Sequence, residues 1–399
     1  MNRPQAALAT IAAVRGLVGG PFGSSLVNKD YEHDGIPVIR GTNLNTGGMI
    51  GGEFVFVSEA KFERDLKRNA AEPGDLVFTQ RGTLGQVAVV PSEPFSTYVV
   101  SQSQMRLRVD TSIADPIYVY FACRSKSFLQ QIDDNAIATG VPHINLGILG
   151  RLTIPLPGLP EQQAIAEVLG ALDDKIVANT KIASTADQFL AALFVRVTDD
   201  TSTLRLGDVA TVNPESCKPV GGGSLRYIDI SSVGKGNFEF PGISSWDEAP
   251  SRARRHVQRG DVLWSTVRPN RRSHALNLSN DPLLVGSTGL AILRPREVGF
   301  AYLYEATKTP DFTAYLENVA EGSAYPAVRA SRFDEAPINW APATEREAFE
   351  MMAAPLRKTL HSLDAENLHL ASVRDALLPQ LMSGKIRVKE AEEVVAGRV

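Results

Sequence analysis

The chain has 399 residues, too many for one ordinary domain and suited to two or three. Hydrophobic residues make up 43% and charged residues 22%, a soluble globular composition, and no run of about 18 apolar residues exists, so no membrane span is expected. The net charge of −4 rules out an overall basic footprint, so any contact with nucleic acid has to come from local clusters.

The N-terminal run MNRPQAALATIAAVRG has too short an apolar stretch, and no clear cleavage site, for a signal peptide. Short β-rich segments punctuated by Gly, Pro and Asp turns follow: LATIAAV (8–14), IPVIRGTNL (36–44), PGDLVFTQRG (73–82) and SQSQMRLRV (101–109). DPIYVYFACRSKSFLQQI (115–132) reads as an amphipathic helix, and GVPHINLGILGRLTIPLP (140–157) ends the region. A long helix is predicted over 159–198, where Pro160 suits the first helical position and Glu161 the first turn. Leu169, Leu172, Ile176, Asn179, Ala183, Ala186, Leu190 and Leu193 recur in steps of three and four, the heptad pattern.

The series then returns. LGDVATV (206–212), LRYIDISSV (225–233), RGDVLWSTVR (259–268), STGLAILRP (287–295), GFAYLYEATKTPDFTAYL (299–316) and GSAYPAVRASRFDEAPINWAP (322–342) match the earlier segments in the same order, at offsets falling from 198 to 182 residues. Six ordered matches argue for two copies of one α+β domain. A second long helix is predicted over 343–384, with Phe349, Leu356, Leu363, Leu370 and Leu377 seven apart and Ala353, Leu360, Asn367 and Leu381 completing the stripe. Pro355 should kink this helix or mark its first turn, and Arg374 puts a charge on the stripe. The expected organisation is a globular repeat at 1–158, a helix at 159–198, a second repeat at 199–342, a helix at 343–384 and a C-terminal tail at 385–399. Each stripe holds one asparagine; if Asn179 faces Asn367, the helices pair antiparallel and the polar pair sets their register. Cys123 and Cys217 lie far apart, which argues against a disulfide framework or a Cys-rich zinc site and fits a reducing cytoplasm.

Several of these segments resemble the type I restriction–modification specificity-subunit (HsdS) family: GPFGSSL (20–26), GIPVIRGTNL (35–44), PGDLVFTQRGTLGQVAVVP (73–91), INLGILGRLTIPLPGLPEQQAIAEVLGALDDKI (144–176) and VRDALLPQLMSGKIRV (373–388). The resemblance covers nearly the whole chain and is most specific at IPLPGLPEQQ and LLPQLMSGKI. It implies two target recognition domains, each reading one half of a split sequence in double-stranded DNA. It also implies an antiparallel coiled-coil spacer, a pseudo-two-fold internal repeat, and docking of two methyltransferase (modification) subunits and of restriction subunits. S-adenosylmethionine and ATP would then belong to those partners, leaving this chain without a cofactor of its own. The second repeat departs from the family pattern at YPAVRASRFDEAPINW, which replaces the usual Leu-rich approach to the helix.

An enzyme would need a site, and the motifs for one are missing. Asn213-Pro214-Glu215-Ser216 lacks the residues of an amino-methyltransferase motif, and neither Gly19-Gly20 nor Gly221-Gly222-Gly223 makes a G-x-G-x-x-G turn. There is no P-loop, and Pro310-Asp311 is followed by no Glu-x-Lys at useful spacing. The six histidines include no pair at metal-ligand spacing. The competing readings are a fused restriction–modification enzyme, a stand-alone nuclease, and a coiled-coil protein adaptor.

Contact with DNA calls for Arg and Lys on phosphates and for Arg, Asn, Gln, Ser or Thr on base edges. Seven arginines crowd the stretch from Arg252 to Arg272 against one acid, Asp261. The candidates follow the Gly-Asp turns: Gln80, Arg81 and Thr83, with Lys29, Arg40 and Asn43 earlier, then Arg268, Asn270, Arg271 and Arg272, with Arg254 and Arg255 nearby. The loops Thr139–His143 and Ser323–Pro326 add His143 and Tyr325, while Asp75 and Asp261 read as turn-stabilising. The acidic balance of the first long helix (Glu161, Glu167, Asp173 and Asp174 against Lys175, Lys181 and Arg196) points its outer face toward protein rather than phosphate.

Overall fold

The computed structural model describes residues 3–44, 47–138, 140–199 and 201–397. They form two units, one made of Met1–Asn179 with Glu366–Val399 and the other of Thr180–Ala365.

In the first unit, an antiparallel sheet orders strands Ala12–Gly19, Gln104–Val109, Leu76–Thr79 and Val87–Val89. A second sheet orders Val55–Val57, Ile36–Ile39, Tyr98–Val100 and Ala70–Ala71, its central pair parallel. Gln5–Ala7 pairs with Thr153–Pro155 to bring the two ends of the repeat together. The period-two alternation of a strand divides the side chains between two cores. Val77 and Ala88 pack with Ile39, Tyr98 and Val100 of the second sheet, while Leu76, Phe78, Met105 and Leu107 pack under Tyr118, Val119 and Phe121 of helix Pro116–Cys123.

The second unit repeats this plan strand for strand. One sheet orders Ala210–Val212, Leu290–Pro295, Val262–Ser265 and His274–Leu276, with Lys235–Gly236 added at its edge. The other orders Ser244–Ser245, Ser224–Ile228, Leu284–Ser287 and Ala253–His256, again with a parallel central pair. Ser202–Arg205 pairs with Pro337–Trp340. The duplication read from six short matches is thus a duplication of topology.

One polar device recurs in both copies. The buried carboxylate of Asp75 accepts two hydrogen bonds from Arg108, Nε and Nη2 each at 2.8 Å, and a third from the backbone N–H of Glu72. Asp261 does the same with Arg294, at 2.8 and 2.9 Å, and with the N–H of Gln258. The Gly-Asp turns therefore serve the fold: the glycine before each aspartate has a positive φ, and the aspartate ties the turn to the neighbouring strand.

The helix expected over 115–132 is two helices, Pro116–Cys123 and Lys126–Asn135. Ser125, in extended conformation, ends the first and caps the second by accepting the N–H of Phe128. Thr309 performs the same break between Phe300–Lys308 and Pro310–Asn318.

The long helices run from Leu159 to Val197 and from Ala343 to Ser383. The second is unbroken through Pro355, which therefore does not mark a first turn. Each unit contains one stretch of both. In the first unit Leu169, Leu172 and Ile176 share a core with Leu370, Val373, Leu377 and Leu381. Asn179 Nδ2 donates to Asn367 Oδ1 at 3.0 Å and to Glu366 Oε2 at 2.8 Å. Arg374 meets the buried Asp173, which Arg124 also approaches at 3.4 Å, so the charge on the stripe is paired. In the second unit Leu190, Leu193 and Phe194 pack with Phe349, Ala353 and Leu356. There Arg357 bridges Asp187, at 2.7 Å, and the buried Glu305. The pairing is antiparallel within each unit, as the partners 173 with 374 and 179 with 367, then 187 with 357 and 194 with 349, show. The expected tail at 385–399 holds a further helix, Val388–Ala396, whose Ala391 is buried in the first unit's core.

His274 stacks on the buried Trp264, ring centroids 5.0 Å apart, and its Nδ1–H donates to the Arg272 carbonyl at 2.8 Å. Among the described residues its Nε2 is buried without a partner, and burial holds its pKa down at about 4. The neutral ring is the form the fold favours. Its contribution is complete above a pH of about 6.5 and is lost as the pH falls toward 4. The melting temperature should therefore drop less between pH 7 and pH 4.5 in His274→Phe than in the wild type. Truncating Asp261→Ala, which leaves Arg294 half-satisfied by Glu215, should cost about 3 kcal/mol in a denaturant titration.

Candidate nucleic-acid interface

Both repeats build the same pair of loops. In the first, the strand Leu76–Thr79 runs into Gln80, whose carbonyl accepts the N–H of Ile144 at 3.0 Å, and Gly82 N–H donates to the Pro142 carbonyl at 3.3 Å. In the second, Thr266 and Arg268 make the matching bonds, from Val328 N–H at 2.8 Å and to the Pro326 carbonyl at 2.7 Å. Backbone bonds thus join the loop after each Gly-Asp strand to the loop before the last short helix. The structure brings Gln80, Arg81, Thr83 and His143 together in one unit and Arg268, Asn270, Arg271, Arg272 and Tyr325 together in the other.

In the first unit Arg81 and Thr83 are exposed, and His143 is half-buried with Nδ1 at 3.2 Å from the Val141 carbonyl. Gln80 and Arg81 line an open cleft of about 560 Å³ with Phe22, Gln102 and Asn145. Thr139 lies outside the described residues. The other candidates of this repeat lie away from the cleft. Lys29 is exposed on a 3₁₀ turn, Asn28–Asp30, and Arg40 is half-buried. Asn43 is buried and its amide is spent on the backbone: Oδ1 accepts the N–H of Arg40, and Nδ2 donates to the carbonyls of Gly51 and Glu53. It shapes a turn and is not presented to a ligand.

Phe22, Gln102 and Asn145 did not figure among the sequence candidates. Phe22 is 85% exposed immediately before the 3₁₀ turn Gly23–Ser25, and Gln102 holds that segment through the carbonyls of Gly23 and Leu26. The signal was present in GPFGSSL, a phenylalanine flanked by glycine and proline where no hydrophobic period calls for one. A second open cleft shares Phe22 and adds Arg15 and Arg68; Arg15 has a φ of +59°.

In the second unit Asn270, Arg271 and Arg272 are exposed, and Arg268 and Arg272 flank the turn Pro269–Arg271 at φ values of +53° and +54°. The Arg268 guanidinium lies 4.6 Å from the centroid of the Tyr325 ring. Arg254 and Arg255 sit instead on the edge strand Ala253–His256 of the other sheet. Arg254 donates to the carbonyl of Ala253, and burial lowers the pKa of the half-buried Arg255 from its ordinary value.

Among the described residues no group of three His, Cys, Asp or Glu side chains could hold a metal ion, and no helix is long and apolar enough to cross a membrane. Burial raises the pKa of both thiols, Cys123 well above its ordinary range, so neither is a poised thiolate.

Residues 23–186 match the family model described as the type I restriction modification DNA specificity domain. The HindI specificity subunit of a Haemophilus influenzae type I restriction enzyme is 21% identical over 86% of this chain and 94% of its own length. The MjaIX specificity subunit of Methanocaldococcus jannaschii is 22% identical over 94% of this chain and 92% of its own. The crystal structure of a type I restriction–modification S subunit from M. genitalium superposes with a TM-score of 0.61 at 16% identity, covering 96% of both chains, and so shares the fold. The chain is thus similar to type I restriction–modification specificity subunits over most of its length, carries the match to their DNA specificity domain in its first repeat, and shares the fold of a solved S subunit.

Proposed function

We propose that the chain reads a bipartite sequence in double-stranded DNA, one half-site per repeat, and docks modification and restriction subunits that carry the chemistry. The observation that supports this is the recurrence, in both units, of one hydrogen-bonded loop pair bearing Arg, Gln, Asn and Thr side chains on a rigid sheet. A scaffold of that kind holds side chains still while their identities vary, which is what base readout asks of a surface. Arg81, Arg271 and Arg272 supply phosphate contacts in this reading, and Gln80, Thr83, His143, Asn270, Arg268 and Tyr325 face base edges.

Docking is assigned to the long helices. On the first one, Ile182, Thr185, Phe189 and Ala192 are exposed in steps of three, four and three, a second and largely apolar stripe beside the buried one of Leu190 and Leu193. A helix of the modification subunit is its occupant. The acidic residues near the start of the same helix disfavour a phosphate backbone there.

A fluorescence titration of a duplex carrying the split site tests the division of labour. The chain alone should bind weakly and lose affinity steeply with salt, and the co-expressed complex with the modification subunit should bind at least tenfold tighter. Equal affinity in the two states would contradict the proposal. Phe189→Glu should melt as the wild type does yet fail to co-purify with the modification subunit.

A further inference from the structure

The two loop pairs correspond residue for residue through their backbone bonds: Gly82 to Arg268, Pro142 to Pro326 and Val141 to Tyr325. At Gly82 the backbone has a φ of +98°, a conformation glycine takes freely. Arg268 holds a left-handed backbone, φ +53° and ψ +62°, at the same place. The fold does not ask for an arginine there, since glycine meets the same demand in the sister repeat without strain. A strained backbone kept under a long cationic side chain points to use of that side chain.

What surrounds the guanidinium says which use. Five arginines lie over aromatic rings among the described residues: Arg124, Arg226, Arg268, Arg346 and Arg357. Four of them also give their N–H groups to an oxygen: Arg124 to Tyr120 Oη, Arg226 to the Pro241 carbonyl, Arg346 to the Ala341 carbonyl and Arg357 to Glu305. Arg268 makes no side-chain hydrogen bond or ion pair with any described residue. Its guanidinium carbon lies over a ring that is itself 70% exposed, and its donor fork is left open. A flat fork resting on a ring matches two acceptors on one rigid edge, the O6 and N7 of guanine in the major groove. A phosphate needs no such match, and the exposed Arg271 and Arg272 beside it serve that purpose.

We infer that Arg268, held by Tyr325, is a specificity-determining residue of the second repeat and reads one G·C pair of its half-site. The first repeat, with Gly82 and Val141 in these places, lacks this reader. The inference rests on the proposed function.

The test uses the complex with the modification subunit and a panel of duplexes in which each base pair of the wild-type target is replaced in turn. Arg268→Gly removes the side chain and relaxes the backbone, so its melting temperature should equal or exceed that of the wild type. Its discrimination should fall about ten- to a hundredfold at one G·C pair of one half-site, the range of a bidentate contact. Arg268→Lys should lose most of the same discrimination, because a point charge cannot replace the fork. Tyr325→Phe should keep it and Tyr325→Ala should weaken it. An unchanged consensus in Arg268→Gly, or an equal loss of affinity on every duplex as for a phosphate contact, would overturn the inference while leaving the proposed function standing. Absence of any preferred split site for the wild-type complex would instead remove the proposed function.

Discussion

The core of the first unit is closed by the last part of the chain. Leu169, Leu172 and Ile176 find their apolar partners in Leu370, Val373, Leu377 and Leu381, and 201 residues separate Asp173 from the Arg374 it pairs with. Neither stretch of helix buries its stripe alone, and an amphipathic helix owes most of its stability to the surface it packs on. The first repeat therefore depends on the helix that follows the second. Burying this apolar seam is the constraint from which the order of elements follows: repeat, helix, repeat, helix.

The polar residues on the seam set its register. Asn179 with Asn367 and Glu366, and Asp173 with Arg374, can all be satisfied in one alignment of the first unit's helices. A slip by one turn would separate these partners and leave buried polar groups unpaired, which costs stability. The second unit uses Arg357 between Asp187 and Glu305 to the same end. These interactions, with the Asp–Arg pairs under each Gly-Asp turn, make a scaffold stiff enough for loops to carry variable chemistry. The loop pairs need only two or three backbone bonds to that scaffold, and their side chains are free to differ, as Gly82 and Arg268 do.

The sequence showed the scaffold more readily than the site, for a physical reason. Repeated apolar positions, Gly-Asp turns and heptad steps each answer to burial and backbone geometry, so the duplication, the long helices and the Asn179–Asn367 pair were legible in residue spacing. The break at Ser125 was missed because the hydrophobic period continues across it, and a capping serine looks like any other until its φ and ψ are known. Site residues carry no such period. Asn43 has the right chemistry for a base edge, but the backbone around Gly51 and Glu53 consumes it. Phe22 has the wrong hydropathy for a surface and stands on one. Arg254 and Arg255 fell within the arginine-rich stretch, yet the chain folds them onto the other sheet. Proximity in sequence measured charge density and could not tell which strand each arginine would end on.

The central claim is that two like units in one chain set a single split recognition sequence. Methylation-aware sequencing of the host genome, with and without this chain, tests it most directly. The account calls for one motif of two halves around a fixed gap, modified on both strands, that vanishes when the chain is deleted. A methylation pattern that survives the deletion, or a motif that is continuous, would contradict it.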